Sequence, residues 1–215
     1  LPLLTRNLLD WDLTLLNPKY PGASGSLFAR LLRRVSARAR SRILHSAILR
    51  DRARASAHIS KIADLDNVYR MYRANTLSAV AGVSDYWRLY LAVRALKPMN
   101  VLECGTGLST TAIGIGLAHN ERDYGIKGMC VSMEESQEWY DHATMLLPVN
   151  VSRYVEIVLS STVEKAYKGM KGVCYREVPD MKYDFVFVDG PNEASPLTGE
   201  KLFDLEMAYV AEKNP

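Results

Sequence analysis

The stretch VLECGTGLST, Val101 to Thr110, decides the fold of this chain. A short apolar run that ends in an acid leads into a Gly-Thr-Gly turn, and a hydroxyl-rich segment without proline follows the turn. Glycines allow the backbone to bend sharply and to approach a ligand closely. The stretch therefore predicts a strand, a tight turn and a helix that runs from Ser109 to His119.

The run Met99–Cys104 is the first of four predicted strands. The others are Met129–Met133, Tyr154–Leu159 and Tyr183–Val188, and we expect a helix between each strand and the next. This alternation predicts an α/β fold, a Rossmann-like parallel sheet with helices on both faces. Ligands of such sheets bind beyond the carboxyl ends of the strands. Acids stand at three of these ends, namely Glu103, Glu134 and Asp189.

The residues around the glycine turn indicate the kind of ligand. A dinucleotide site would need a third glycine where Thr110 stands, and Glu103 puts negative charge where a pyrophosphate would lie. The same charge suits a ligand with an ammonium or sulfonium group. Glu134 is placed to accept two hydrogen bonds from a ribose diol. Adenosine joined to a positive sulfur is S-adenosylmethionine.

These residues resemble the class I S-adenosylmethionine-dependent methyltransferases. The match consists of VLECGTGLST, of VSMEESQEW (Val131 to Trp139) and of YDFVFVDGP (Tyr183 to Pro191), within a region of roughly residues 75 to 212. The E-x-G-T-G-x-S-T form and the V-D-G-P ending are most similar to small-molecule O-methyltransferases. The resemblance implies methyl transfer to a hydroxyl of a small molecule or glycan.

The resemblance also implies roles for individual residues. Glu103 would help to orient the amino group of the cofactor, Glu134 would hold its ribose, and Glu135 would replace Glu134 if the strand register is shifted by one. The methionine part would be lined by Gly105, Thr106 and Gly107. Further cofactor contacts are expected at Ser109, at Asp189, and near the adenine at Ser160 and Ser161.

Asp189 is the candidate catalytic residue. An acceptor hydroxyl must lose a proton, either to a general base or to a bound cation such as Mg²⁺, and Asp189 could serve either task. It could also cap the turn that follows it. One protein oxygen makes a poor magnesium site, and no partner ligands are visible in the sequence.

Charge divides the chain into two halves. Residues 1–100 carry seventeen Lys and Arg against six Asp and no Glu, whereas residues 101–215 carry ten basic residues against eighteen acidic ones. The first half is predicted to be helical over Leu27–Ile62 and over Asn67–Lys97, the latter ending at Pro98. We therefore expect a helical, arginine-rich extension over residues 1–74 and a Rossmann-like domain over residues 75–215.

Nine arginines lie between Arg30 and Arg54, with Asp51 as the only acid among them. They form either the solvated face of a helix or a surface for phosphate, nucleic acid or an anionic glycan. The second interpretation supports an alternative function, a non-catalytic methyltransferase-like binding protein. An oxidoreductase or an aminopropyltransferase on the same scaffold is a further alternative.

Composition excludes other classes of protein. Hydrophobic residues make up 48% of the chain and charged residues 24%, which argues against disorder. The sequence contains no run of eighteen consecutive apolar residues, so we expect no membrane-spanning helix. Three widely spaced cysteines favour a reducing, cytoplasmic location, although an organelle or the secretory lumen stays open. His119 and His142 are expected at helix surfaces.

The chain ends before the usual seven strands are complete, so we expect a fragment or a homo-oligomer.

Overall fold

The computed structural model describes residues 44–76 and 82–213. The chain divides into two compact units, residues 1–48 and 49–215. Residues 44–59 are helical. Most of the arginine-rich segment lies outside the described residues. The expected domain boundary between residues 74 and 75 stays a prediction.

The labelled elements of the second unit follow one another in a simple order. They are α1 (Ala63–Asn75), α2 (Val83–Leu96), β1 (Asn100–Cys104), α3 (Leu108–Tyr124), β2 (Met129–Glu134), α4 (Gln137–Leu146), α5 (Val149–Ser152), β3 (Val155–Leu159), β4 (Thr162–Tyr167), β5 (Met170–Tyr175), β6 (Phe185–Val188), β7 (Phe203–Asp204) and α6 (Glu206–Lys213).

Four strands form the parallel sheet, in the order β3-β2-β1-β6. Leu102 pairs with Val131 on one side and with Val186 on the other. The predicted α/β fold with a parallel sheet is confirmed. The chain moves outward from β1 to β2 and β3, and then returns to place β6 on the opposite side of β1. This reversal creates a switch point between β1 and β6, where parallel sheets bind ligands.

The helix predicted between the third and fourth strands is wrong. This segment forms an antiparallel hairpin of β4 and β5. Lys168 and Gly169, the two residues of its turn, both have positive φ angles, of 47° and 83°. Such two-residue turns match the twist of a hairpin. β5 also pairs with β7, which completes a small second sheet.

The single helical stretch predicted over Asn67–Lys97 is also wrong. α1 ends at Asn75, because Thr76 has an extended backbone, and α2 begins only after Gly82. The predicted stop before Pro98 is confirmed, since Lys97 adopts a left-handed conformation there.

The two faces of the parallel sheet bury different clusters. Val101 packs with α1, α2 and α3, whereas its neighbour Leu102 packs with the hairpin residue Tyr175 and with Val210 of α6. This alternation follows from the two-residue period of a strand. Helices thus cover one face, and the hairpin together with α6 covers the other.

His119 is not the surface residue that the sequence suggested, because its exposed fraction is 5%. Its Nδ1 lies 2.9 Å from the hydroxyl of Tyr90, and its Nε2 lies 3.2 Å from Oδ2 of Asp64. The ring therefore ties α1 and α2 to α3.

Within the described ranges, no helix has the length and apolar character to cross a membrane.

Candidate functional site

A cavity of about 340 Å³ opens at the carboxyl ends of β1, β2 and β6. Its walls come from the glycine turn, the start of α3, the segment after β2, the loop after β6 and one side chain of α1. The lining residues are Tyr72, Gly105, Thr106, Gly107, Leu108, Ser109, Glu134, Glu135, Trp139, Asp189, Gly190, Pro191 and Asn192. Seven of the predicted site residues are therefore brought together here.

Gly105 allows the two loops at the switch point to touch. Its φ angle is +92°, and a Cβ atom at this position would lie 3.0 Å from the carbonyl oxygen of Asp189. The amide of Gly105 donates to the carbonyl of Met133, and the amide of Asp189 donates to the carbonyl of Cys104, both at 2.9 Å. The turn thus continues the hydrogen bonding of the sheet up to the edge of the cavity.

Glu103 lies beneath the glycine turn and has no exposed surface. Its Oε2 accepts a hydrogen bond from Oγ of Ser132 at 2.6 Å, and its Oε1 has no partner among the described residues. Burial raises the pKa of Glu103 to about 7, and the nearby hydroxyls of Ser109, Ser132 and Thr110 oppose this shift. The side chain does not line the cavity, and its predicted role in orienting the cofactor's amino group stays a prediction.

The carboxylate of Glu134 faces the cavity with both oxygens engaged by the chain itself. Oε2 accepts from the amide and the hydroxyl of Thr106, at 3.2 and 2.8 Å. Oε1 accepts from the amides of Glu135 and Ser136, at 3.1 and 3.0 Å. A diol at this position would share or replace these bonds, and the Thr106 hydroxyl is the donor that can rotate away.

Glu135 connects three parts of the site. Its Oε1 accepts from the amide of Asn192 at 3.0 Å, in the loop after β6. The hydroxyl of Tyr175, in the hairpin, lies 3.1 Å from its Oε2 and 3.2 Å from the carbonyl of Met133. Burial and the nearby carboxylates raise the pKa of the Tyr175 hydroxyl. Glu135 therefore positions the loop that carries Asp189.

Asp189 is exposed and lies at the cavity wall, directly after β6. A magnesium site needs several oxygen ligands in octahedral geometry. Within residues 44–76 and 82–213, no cluster of three or more His, Cys, Asp or Glu side chains could hold a metal ion. The described residues around Asp189 therefore do not fit Mg²⁺.

Ser160 and Ser161 do not line the cavity. The amide of Ser160 donates to the carbonyl of Glu134 at 2.8 Å, and its hydroxyl accepts from the amide of Glu177 at 3.1 Å. The hydroxyl of Ser161 accepts from Nε of Arg176 at 3.0 Å. Ser160 thus joins the end of β2 to the segment after the hairpin, and Ser161 bonds to Arg176 of that segment. The contact of both serines with an adenine stays a prediction.

Two aromatic residues of the cavity, Tyr72 and Trp139, were not among the predicted site residues. Tyr72 of α1 is 4% exposed, and burial followed by the charges of Glu103 and Glu134 raises its pKa to about 12. Trp139 of α4 is 37% exposed, and its ring packs edge-on against His142 with ring centroids 5.6 Å apart. The aromatic content of residues 67–97 was a signal for Tyr72, but it did not single out that residue.

The charged side chains that line the cavity are all acidic. The carboxylates of Glu134, Glu135 and Asp189 line it, and none of the described lining residues is Lys, Arg or His. A cationic ligand is attracted to such a wall, whereas a pyrophosphate is repelled.

No family model and no curated protein matches this chain. Among solved structures, it is similar to the SAH-bound methyltransferase PaMTH1 of Podospora anserina, with 20% identity and a TM-score of 0.43, over 64% of this chain and 56% of that chain. It is also similar to the O-methyltransferase from Bacillus cereus in complex with SAH, with 17% identity and a TM-score of 0.46, over 74% and 67% of the two chains. The chain therefore spans little more than half of the Podospora protein, and these likenesses concern the fold alone.

Proposed function

We propose that this chain is an S-adenosylmethionine-dependent methyltransferase that acts on a hydroxyl group of a small molecule or glycan. The observation that carries the proposal is the acid-lined cavity at the switch point, closed on one side by the glycine turn. A ligand that combines a diol with a positive sulfur complements this wall in both hydrogen bonding and charge.

The described residues offer a complementary group for each part of such a cofactor. Gly105 and Gly107 leave room for the amino-acid part beside the start of α3, where the positive end of the helix dipole favours a carboxylate. Glu134 would accept hydrogen bonds from the ribose. Trp139 offers an aromatic surface on which an adenine can stack.

Catalysis in this proposal is mainly positioning. When bound, the cofactor supplies an electrophilic methyl group, and the transfer is an in-line displacement that depends on alignment and on the exclusion of water. Asp189 would accept the proton of the acceptor hydroxyl. Glu135 would act through the loop that it anchors, by holding Asn192 near Asp189. No step requires a metal ion.

Calorimetry with S-adenosylhomocysteine tests this function directly. We expect micromolar binding to the wild type and a loss of roughly tenfold to a hundredfold in Glu134→Gln, because charged hydrogen bonds are lost. Glu138→Gln is the matched control, since Glu138 is exposed and does not line the cavity. Absence of binding to the wild type, or equal losses in both variants, would contradict the proposal.

A parallel titration with NAD tests the oxidoreductase alternative, which predicts that NAD binds more tightly than S-adenosylhomocysteine. Quenching of tryptophan fluorescence supplies a second readout, because Trp139 lies in the cavity wall. We expect the quenching by S-adenosylhomocysteine to disappear in Trp139→Phe and to persist in Trp87→Phe.

We further propose that the protein is cytoplasmic and forms a homo-oligomer. Three free, buried cysteines are compatible with a reducing compartment. Sedimentation velocity tests the oligomeric state, and a strictly monomeric protein would contradict this part of the proposal.

A further inference from the structure

A second cavity, of about 400 Å³, lies between α2 and the end of β6. Leu89 of α2 and Phe187 and Val188 of β6 supply its apolar surface. Asp85, in the first turn of α2, is its acidic residue away from the sheet. The volume is in the range of sites that bind small molecules.

The two cavities share part of their walls. Ser109 and Asp189 line both of them. A molecule in the second cavity can therefore present a polar group to the first cavity beside these two side chains. If the first cavity holds the methyl donor, this shared wall is where an acceptor group has to lie.

The charges of the second cavity select among acceptors. Asp85 and Asp189 are its charged residues, and no Lys or Arg belongs to its described lining. Arg88 lies 3.6 Å from Asp85, but both side chains are more than half exposed, and Arg88 approaches Asp51 more closely, at 2.8 Å. Such exposed pairs contribute little, so Asp85 can still attract a cation.

We infer that the second cavity binds the methyl acceptor, and that this acceptor is a cationic molecule with an apolar or aromatic body and a hydroxyl group. The inference rests on the proposed function. The apolar body packs on Phe187 and Leu89, the positive group faces Asp85, and the hydroxyl reaches Asp189. An anionic acceptor would meet two carboxylates, and no Lys or Arg belongs to the described lining of the cavity.

The transfer balances with the groups named. The acceptor oxygen forms a bond to the methyl carbon as the bond from carbon to sulfur breaks, and the electron pair of the broken bond stays on sulfur and neutralises its charge. The hydroxyl proton passes to the Asp189 carboxylate and then to water. No oxidant or reductant is required.

Three phenols of nearly equal shape test the selectivity. Tyramine is cationic, 4-ethylphenol is neutral and 3-(4-hydroxyphenyl)propionate is anionic. Their dissociation constants are measured by ligand-observed NMR on the full chain with saturating S-adenosylhomocysteine. We expect tyramine to bind at least threefold more tightly than 4-ethylphenol, and the anion to bind most weakly. Equal affinities, a preference for the anion, or no binding at millimolar concentration would overturn the inference.

Two variants locate the binding. Asp85→Asn should remove the preference for tyramine while it leaves the affinity for 4-ethylphenol unchanged, and Phe187→Ala should weaken all three phenols. Asp141→Asn, at an exposed position of α4, is the matched control. Unchanged selectivity in Asp85→Asn would overturn the inference.

Calorimetry with S-adenosylhomocysteine on the same samples separates the two proposals. Binding of S-adenosylhomocysteine by the wild type, together with equal affinities of the wild type for the three phenols, overturns the acceptor site alone. Absence of S-adenosylhomocysteine binding overturns the proposed function, and with it the acceptor role of the second cavity.

Discussion

Glu103 and Ser132 face each other across the β1–β2 pair, and the Ser132 hydroxyl donates to Oε2 of Glu103 at 2.6 Å. Both side chains are fully buried. The serine satisfies one carboxylate oxygen, while the other has no partner among the described residues. A buried carboxyl in this situation favours its protonated form, which explains the direction of its pKa shift.

This pair predicts that the protein loses stability as the pH rises from 4.5 to 7. The folded state holds the proton of Glu103 up to about pH 7, whereas the ordinary pKa of 4.5 applies after unfolding. The stabilisation is therefore complete below pH 4.5 and is lost as the pH passes through 7. Glu103→Gln should reduce this loss by on the order of 2 kcal/mol, measured by urea denaturation at several pH values.

Glu206 provides a comparison for this measurement, because burial also raises its pKa to about 7. Glu206→Gln should remove a separate part of the same pH dependence. A pH profile that is identical in the wild type and in Glu103→Gln would refute the assignment.

Gly105→Ala should destabilise the fold more than Gly125→Ala. Both glycines have positive φ angles, so alanine at either site has a backbone cost of about 1–2 kcal/mol. At Gly125 nothing lies within 4 Å of the new Cβ, whereas at Gly105 the backbone of Asp189 lies 3.0 Å away. We expect an extra cost of about 1–3 kcal/mol at Gly105 in chemical denaturation. Equal losses would show that the loops separate easily.

Thr106→Val tests whether a ligand diol uses the hydrogen-bonding position of the Thr106 hydroxyl. The substitution removes the 2.8 Å bond to Glu134 and keeps the backbone bond of residue 106. If the ribose replaces that hydroxyl, Thr106→Val should bind S-adenosylhomocysteine more tightly, by roughly twofold to tenfold. Thr106→Ser keeps the donor and should match the wild type. Weaker binding in Thr106→Val alone would mean that the hydroxyl contacts the ligand itself.

Gly114→Ala tests the close packing of α3 on the sheet. A Cβ atom here would collide with Cγ1 of Val151 and lie 2.9 Å from Cγ2 of Val155. Alanine favours helices by up to about 1 kcal/mol over glycine, but the overlap should outweigh that gain and destabilise the protein by about 1–3 kcal/mol. Adding Val151→Ala should recover part of the loss relative to the sum of the single variants. Strict additivity in thermal unfolding would contradict this packing.

The sequence was sufficient to predict the parallel strands and the acids at their ends, because each strand is a short apolar run that stops at a polar residue. Glu134 and Asp189 lie in the cavity for this reason. Tyr72 could not be assigned in the same way, since its place depends on how α1 packs against a turn more than thirty residues further along the chain.

The hairpin of β4 and β5 could not be predicted from the sequence for a different reason. The segment between β3 and β6 contains residues that suit either a helix or a strand, and only the Lys168-Gly169 turn with its two positive φ angles distinguishes the alternatives. The bonds between Thr106 and Glu134 depend on side-chain rotamers, which a pattern of residue types does not encode.

The three cysteines can report which part of the structure unfolds first. Cys104 and Cys130 lie in the parallel sheet and Cys174 lies in the hairpin, and all three are free and buried. Burial raises the pKa of each thiol, so alkylating reagents reach a reactive thiolate only when the surrounding structure opens. Labelling at Cys174 before the other two would reveal a hairpin that detaches by itself, and simultaneous labelling would reveal one cooperative unit.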